Sequence, residues 1–195
     1  MVILDMKVKV GVSNRHVHLN REALDLLFGK GYELTQRNKL TQENDFACNE
    51  TVDILTNKAV IEKVRVIGPV RDYIQVEISK TDSYKLGVNP PVRMSSDLKN
   101  AENIILIGPK NKIEVKSCLI NACRHIHVDP ETASKLGINK DDVFKTTIKG
   151  EKAGVMSNIL VKIKEGYKLE LHIDTDDANA FNIKTGDELI LEKEK

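Results

Sequence analysis

Apolar and polar residues alternate along much of this chain, a pattern that predicts half-buried β-strands. The first such segment, residues 6–12, places Val8, Val10 and Val12 on one side. Further short apolar runs predict more strands, and the runs at residues 64–69 and 104–107 lead into Gly-Pro turns. These runs lie at residues 64–69, 76–78, 104–107, 160–163, 169–173 and 189–191. The pattern therefore predicts a mostly β fold.

Short helical segments interrupt these strands. Asn20 is the predicted N-cap of a helix over residues 21–28. Asp129 is the predicted N-cap of a second helix, over residues 130–136, whose first position is a proline. A glycine follows each helix and predicts its end.

An internal repeat organises the chain. Arg15-His16-Val17-His18-Leu19 is echoed by Arg124-His125-Ile126-His127-Val128, and one of the two capped helices follows each copy. The chain is therefore predicted to contain a duplicated β-rich unit.

Two further segments share a layout. Residues 77–82, Glu-Ile-Ser-Lys-Thr-Asp, lead into a helical stretch that ends at Gly87, and residues 172–176, His-Ile-Asp-Thr-Asp, lead into one that ends near Gly186. Aligning their Thr-Asp pairs, with one gap, places Glu77 opposite His172. Each half of the chain thus contributes a His-x-His strand and one more potential ligand.

The composition is that of an ordinary globular chain. Of the 195 residues, 41% are apolar and 30% are charged, while aromatics make up only 4% and Trp is absent. A core of Val, Ile and Leu favours many short strands. The net charge is +1 without a basic stripe, which argues against nucleic acid as a partner. The apolar runs are far too short to span a membrane.

The cysteines and the N-terminal residues bear on the compartment. Cys48, Cys118 and Cys123 show no C-x-x-C spacing, so neither a disulfide framework nor a zinc ribbon is predicted. Charged residues such as Asp5 and Lys7 break up the N-terminal segment, which is therefore not a signal peptide. A reducing cytoplasm is the expected location.

All five histidines fall in the repeated segments. Residues two apart on a strand point to the same face, so each His-x-His pair can converge on one metal ion. A catalytic zinc ion commonly has three protein ligands and an open fourth position. The repeat supplies two such sets, which are His16, His18 and Glu77, and His125, His127 and His172.

For a single His-x-His pair, the ordinary alternative to metal binding is that each histidine only forms hydrogen bonds. Two copies, each with a helix start and a third candidate ligand, favour metal binding over that alternative. Helix starts also suit anions, because their N–H groups are unpaired. The predicted ligands of this site are therefore anionic groups, such as phosphate, thiolate or carboxylate.

Several nearby residues have two interpretations each. Arg71 precedes the Glu77 strand and is either a phosphate-binding fork or part of a surface salt bridge; Arg93 is a weaker candidate of the same kind. Cys123 lies two residues before His125, and we expect a buried apolar thiol there rather than a metal ligand. The arginines before the His-x-His pairs are expected to form structural ion pairs.

The sequence resembles a known family at this point. Residues 10–19, Val-Gly-Val-Ser-Asn-Arg-His-Val-His-Leu, resemble the opening motif of the PduL-type phosphate acyltransferases, also called phosphotransacylases. Further blocks resemble that family in the same order and span nearly the whole chain. They are residues 68–71 with 75–79, 91–93, 124–127 and 171–176.

The resemblance implies two β-barrels with short capping helices. Barrel one would comprise residues 1–14 and 123–195, and barrel two residues 15–122 with a short insertion around 29–49. The resemblance also implies two zinc ions, one held by each of the two residue sets above, and a phosphate-binding, catalytic role for Arg71.

The implied reaction is acyl-CoA + phosphate ⇌ acyl phosphate + CoA, with acetyl or propanoyl as the acyl group. The alternatives are a dinuclear-metal hydrolase of thioesters or amides, and a structural metal module without catalysis. The expected partners are coenzyme A or acyl-CoA, phosphate and a second copy of the chain, but neither nucleic acid nor a membrane. Because only a few residues precede Lys7, we expect a cytoplasmic enzyme rather than one targeted to a microcompartment lumen.

Overall fold

A computed structural model describes residues 6–194 of the chain. Within this range the chain is mostly β, as predicted, and its helices are short. The helices are α1 (Arg21–Phe28), α2 (Lys80–Leu86), α3 (Pro130–Leu136) and α4 (Thr175–Phe181). The strands are β1 (Met6–Ser13), β2 (His16–His18), β3 (Gln36–Lys39), β4 (Phe46–Leu55), β5 (Val60–Gly68), β6 (Gln75–Glu77), β7 (Val92–Arg93), β8 (Glu102–Ile107), β9 (Lys112–Ala122), β10 (His125–Val128), β11 (Phe144–Ile148), β12 (Gly154–Ile163), β13 (Glu170–Asp174) and β14 (Glu188–Lys193).

The chain divides into two compact units. Within the described residues, unit one combines residues 6–13 with residues 123–194, and unit two is Asn14–Ala122. The prediction that no targeting segment precedes the first strand concerns residues 1–5 and lies outside the described residues. No helix between residues 6 and 194 has the length and apolar character needed to cross a membrane.

Unit one is a closed six-stranded barrel with the strand order β1-β13-β10-β12-β11-β14. The strand β10 runs antiparallel to β13 and parallel to β12. The strand β1 runs parallel to β13 and closes the barrel by antiparallel pairing with β14.

Unit two contains a closed ring of the same kind, with the order β4-β5-β2-β6-β9-β8. The strand β2 runs antiparallel to β6 and parallel to β5, as β10 does with its neighbours. The short strands β3 and β7 add to this ring by pairing with β4 and β9. The two barrels therefore have the same topology, which confirms the predicted duplication and the two-barrel fold.

The duplicated units exchange their first strands. Along the chain, β1 precedes the first His-x-His strand and β9 precedes the second. The strand β1 nevertheless pairs with β13 and β14 of the second repeat, while β9 pairs with β6 and β8 of the first. Each barrel is thus completed by a strand from the other half of the sequence.

The apolar face of each strand fills its own barrel. In unit one, Val8 and Val10 of β1 are buried with Ile126 and Leu171, and in unit two Val17 is buried in the same way. Successive residues on a strand point to opposite faces. The histidines that flank Val17 and Ile126 therefore lie on the wall face opposite the apolar core.

Side-chain caps fix the helix starts, as predicted for α1 and α3. The side chains of Asn20 and Asp129 accept the backbone N–H groups of the third helical residues. The helix α2 ends at Gly87 in the left-handed conformation, also as predicted. The prediction for α4 is wrong, because this helix ends at Asn182, whose φ of 55° is tolerated by asparagine.

The structure also corrects the alignment of the two later segments. The N-cap of α2 is Ser79 and that of α4 is Asp174. Counting back two residues from each cap gives Glu77 and His172, so these residues are equivalent without any gap. The Thr-Asp pairs do not align, since position 82 corresponds to position 177.

Truncating a core residue of β12 should test the barrel of unit one. Ile159 is fully buried, and we expect Ile159→Ala to lower the free energy of unfolding by about 2–5 kcal/mol, because it leaves a cavity. Val155 lies on the same strand but is exposed, so Val155→Ala should change this free energy by less than about 0.5 kcal/mol. Urea denaturation of both variants measures the difference. Equal losses would contradict the assigned strand faces.

Candidate metal centres

The antiparallel pairing of β2 with β6 assembles the first cluster, which consists of His16, His18 and Glu77. His16 lies directly opposite Glu77, and His18 lies opposite Gln75. Since Val17 points into the core, the two histidines share the other face with Glu77. One potential ligand atom from each of the three residues lies within 4.8 Å of the other two.

Hydrogen bonds to the main chain orient both imidazole rings of the first cluster. Nδ1 of His16 lies 2.8 Å from the carbonyl oxygen of Asn14, and Nδ1 of His18 lies 3.2 Å from that of Ile67. A carbonyl oxygen only accepts, so each Nδ1 carries the hydrogen and each Nε2 keeps its lone pair. Nε2 of His16 is 3.5 Å from Oε2 of Glu77.

A buried glutamine holds the carboxylate of the first cluster. Nε2 of Gln75 donates to Oε1 of Glu77 at 2.5 Å and to the hydroxyl of Ser95 at 3.0 Å. Oε1 of Gln75 accepts the backbone N–H of Ser96 at 2.6 Å. These bonds fix the orientation of Glu77, as is common for residues that support a metal ligand.

The second cluster, His125, His127 and His172, forms where β10 pairs with β13. His125 lies directly opposite His172, while Ile126 and Leu171 point to the core. The Nε2 atoms of His125 and His127 are 3.1 Å apart. One potential ligand atom from each histidine again lies within 4.8 Å of the other two.

Hydrogen bonds orient two of the three imidazole rings of the second cluster. Nδ1 of His125 lies 2.8 Å from the carbonyl oxygen of Cys123, which directs Nε2 to the cluster. Nε2 of His172 instead lies 2.7 Å from Oε2 of Glu170. The bond from His125 to Cys123 has an equivalent in the first cluster, where the carbonyl oxygen of Asn14 accepts from His16. Positions 14 and 123 therefore correspond in their backbone carbonyl groups, although their side chains differ. Cys123 itself is half-buried, so the expectation of a buried thiol is wrong, and it forms no disulfide.

The third ring of the second cluster has an unsatisfied nitrogen. Nδ1 of His127 is buried and has no hydrogen-bond partner among the residues that the structure describes. The ring stacks on Tyr167 with 4.2 Å between the centroids. Imidazole nitrogens and a carboxylate oxygen that converge at the spacing of the two clusters fit a divalent transition-metal ion.

An arginine and an aspartate brace each cluster. Arg15 forms two hydrogen bonds of 2.8 Å with Asp82, the third residue of α2. Arg124 forms bonds of 2.9 and 2.6 Å with Asp177, the third residue of α4. The arginines before the His-x-His pairs thus form ion pairs, as expected. Each pair ties a histidine strand to the helix that follows the third ligand.

Arg71 lies beside the first cluster. Its backbone N–H donates to the carbonyl oxygen of Leu19, the residue after His18, at 2.9 Å. Its Nη2 is 2.6 Å from Oδ1 of Asp45. Its buried Nε has no hydrogen-bond partner within residues 6–194. The guanidinium of Arg71 therefore forms an ion pair, as one interpretation predicts, and keeps an unpaired donor, as phosphate binding requires.

Arg93 is engaged locally. Its Nε donates to the carbonyl oxygen of Lys99 at 3.1 Å, and its Nη1 donates to that of Val92 at 3.2 Å. Its Nε is also 3.7 Å from the carboxylate of Asp97. These bonds hold its own loop, which leaves Arg71 as the stronger candidate for an anion.

Comparison with known proteins gives the family. The sequence model of the phosphate propanoyltransferase family matches residues 9–184. The chain belongs to this family. It is therefore an enzyme of the acyltransferase class, as the sequence motifs indicated.

Individual relatives agree with this assignment. Proteins named phosphate propanoyltransferase from Thermotoga maritima and Priestia megaterium are 48% and 50% identical over 179 and 184 residues. These matches cover 91% and 94% of this chain and 85% of each relative. A protein of the same name from Salmonella typhimurium is 38% identical over 174 residues, which cover 89% of this chain and 82% of the relative.

The structure brings all six predicted ligands of this family member into two clusters. The sequence prediction missed the partners of these ligands and of the nearby arginines. Gln75 and Glu170 bond predicted ligands. Asp82, Asp177 and Asp45 bond Arg15, Arg124 and Arg71. Two of these residues could have been found from the sequence, because Asp82 and Asp177 occupy the same position in the two repeats. Gln75 and Glu170 also correspond, but their different side chains concealed the match.

Burial keeps two of the histidines neutral. It lowers the pKa of His18 to about 3, with a further lowering contribution from His16 and an opposing one from Glu77. Burial, followed by the proximity of His172 and His125, lowers the pKa of His127 far below its usual value. Neutral imidazoles have free lone pairs, which a metal ion requires.

The metal-free protein should lose stability as the pH falls from 6.5 to 5. In this window the unfolded chain protonates His18 and His127 while the folded chain does not, so protons favour unfolding. The expected loss is about 2 kcal/mol for each histidine, since one pKa unit is worth about 1.4 kcal/mol. Urea denaturation in the presence of chelator measures it. The His18→Gln variant should show a shallower slope, and an unchanged slope would contradict the buried neutral state.

Proposed function

We propose that this protein is a zinc-dependent phosphate acyltransferase that interconverts acyl-CoA and phosphate with acyl phosphate and CoA. The acyl group is short, either propanoyl or acetyl. The observation that carries the proposal is the pair of equivalent three-residue clusters in a chain of the phosphate propanoyltransferase family. The names of the relatives support phosphate and a propanoyl group as substrates.

One zinc ion would be held by His16, His18 and Glu77. A second would be held by the three histidines of the other cluster. Imidazole nitrogen and carboxylate oxygen suit zinc, and three ligands leave one position for a substrate. When bound, zinc supplies Lewis-acid stabilisation of negative charge on oxygen or sulfur.

Arg71 binds phosphate in this proposal. Asp45 holds one Nη of the guanidinium, so the side chain is oriented before a ligand arrives. The buried, unpaired Nε then has a donor to offer to a phosphate oxygen. Because a buried donor without a partner is costly, an anion that accepts from it is favoured.

Phosphate attacks the thioester directly. One phosphate oxygen forms a bond to the acyl carbon, the carbon–sulfur bond breaks, and the sulfur leaves as the CoA thiolate. A cysteine nucleophile at position 48 or 118 is disfavoured. Burial raises the pKa of Cys48 to about 11 and that of Cys118 to about 12, so both thiols are protonated at neutral pH.

The cytoplasmic location, the homodimer and the lack of a nucleic-acid partner stay predictions. A tagged copy followed in cells tests the first, and sedimentation of the purified protein tests the second.

Product identity should distinguish acyl transfer from hydrolysis. With propanoyl-CoA, we expect CoA release only when phosphate is present, together with one equivalent of propanoyl phosphate. Dialysis against chelator should abolish the rate, and added zinc should restore it. Release of free propanoate at a rate independent of phosphate would favour the metal-dependent thioester hydrolase instead. A rate unaffected by chelation would contradict zinc dependence.

Replacing Arg71 should weaken phosphate binding. We expect Arg71→Ala to raise the KM for phosphate about ten- to one-hundredfold, because charged hydrogen bonds worth about 1.5–3 kcal/mol are lost. The KM for acyl-CoA should change little. Arg93→Ala is the matched control, since it removes the same charge from a loop whose arginine is engaged locally. An Arg71→Ala enzyme with unchanged KM for phosphate would remove this role from Arg71.

A further inference from the structure

A buried carboxylate lies beside the second cluster. Glu170 is on β13, two residues before His172, and is only 6% exposed. Its Oε2 is 2.7 Å from Nε2 of His172. It also lies directly opposite His127 in the antiparallel pairing with β10. The carboxylate is thus adjacent to two of the three histidines without being one of the predicted ligands.

The neighbouring strand makes room for this carboxylate. Gly11 on β1 lies directly opposite His172. A Cβ atom at position 11 would lie 3.0 Å from Cδ of Glu170 and 3.2 Å from each of its carboxylate oxygens. Such contacts are tighter than ordinary van der Waals contacts, so a Cβ at position 11 would push the carboxylate away by a few tenths of an ångström. The absence of a side chain there fits a carboxylate held against His172.

The barrel of unit two has a residue equivalent to Glu170. Gln75 is the counterpart of Glu170, since each precedes the third ligand by two residues and faces the second histidine of the pair. In the first cluster, the amide of Gln75 bonds the carboxylate of Glu77. In the second, the carboxylate of Glu170 bonds the imidazole of His172. Each cluster therefore has one carboxylate, although it is placed differently.

We propose that Glu170 is the positioning residue of the second cluster. Its carboxylate accepts the hydrogen on Nε2 of His172, so Nδ1 is the only ring nitrogen left to bind a metal ion. His16, His18 and His125 have the opposite arrangement, with Nδ1 donating to a carbonyl oxygen. Such a carboxylate–histidine pair fixes the ring and makes it a better ligand. The inference rests on the metal sites proposed above.

Nitrogen NMR of the zinc-loaded protein tests the arrangement. In protein labelled with ¹⁵N-histidine, we expect the His172 signal to show hydrogen on Nε2 and zinc on Nδ1. The signals of His16, His18 and His125 should show the reverse. The His172→Gln variant assigns the signal. Zinc bound to Nε2 of His172 would overturn the proposal, since the carboxylate would then not be accepting that hydrogen.

Metal binding gives a second measurement that does not depend on activity. In Glu170→Gln, we expect one of two zinc ions to bind about ten- to one-hundredfold more weakly, as for other residues that support a metal ligand. Gly11→Ala should change the same ion in the same direction, because its Cβ displaces the carboxylate. The matched control is Glu188→Gln, an exposed position on β14 of the same barrel, where both affinities should stay unchanged.

The outcomes separate the two proposals. If the unaltered protein binds fewer than two zinc ions, the proposed metal sites are wrong. If it binds two, and Glu170→Gln and Gly11→Ala bind both with unaltered affinity while their circular dichroism stays native, the positioning role alone is wrong. If Glu170→Gln loses its native circular dichroism, the zinc affinity of Gly11→Ala and the tautomer of His172 in the unaltered protein test the proposal instead.

Discussion

The antiparallel pairing between each His-x-His strand and the strand of the third ligand determines the chemistry of this protein. It places His16 opposite Glu77 in one barrel and His125 opposite His172 in the other. Side chains directly opposite on one face of such a pair lie close enough to bind one ion. A shift of one residue would turn the histidines into the apolar core, so the barrel packing that fixes the register also fixes the clusters.

Ion pairs at the edge of each cluster reinforce this register. Arg15 with Asp82, and Arg124 with Asp177, connect the histidine strand to the helix that follows the third ligand. Each aspartate is the third residue of its helix, where a carboxylate is favourable in any case. The same two contacts thus hold the strand and orient the helix start. Their duplication in both barrels indicates that they belong to the scaffold rather than to one site.

The duplicated scaffold carries two chemically different clusters. Glu77 with Gln75 occupies the positions that His172 with Glu170 occupies in the other barrel. Three nitrogen ligands with a carboxylate behind them would leave more positive charge on an ion held there than two nitrogens and a direct carboxylate would. Two barrels of the same topology therefore present two unequal sets of candidate ligands.

The sequence by itself indicated many of the strands, the starts of α1 and α3, the repeat and the six residues that form the clusters, because periodicity, capping and a repeated motif can be read from short segments. It did not indicate the strands β4, β9 and β11. The tertiary structure decided which strands close each barrel: β1 pairs with β13, more than 150 residues away, and no local pattern encodes that choice. It also decided that Gly11 of β1 lies opposite His172 and leaves room for the carboxylate of Glu170. The proximity of Gly11 to Glu170 follows from the strand exchange and from the register of β1 with β13, so it becomes visible only in the folded chain.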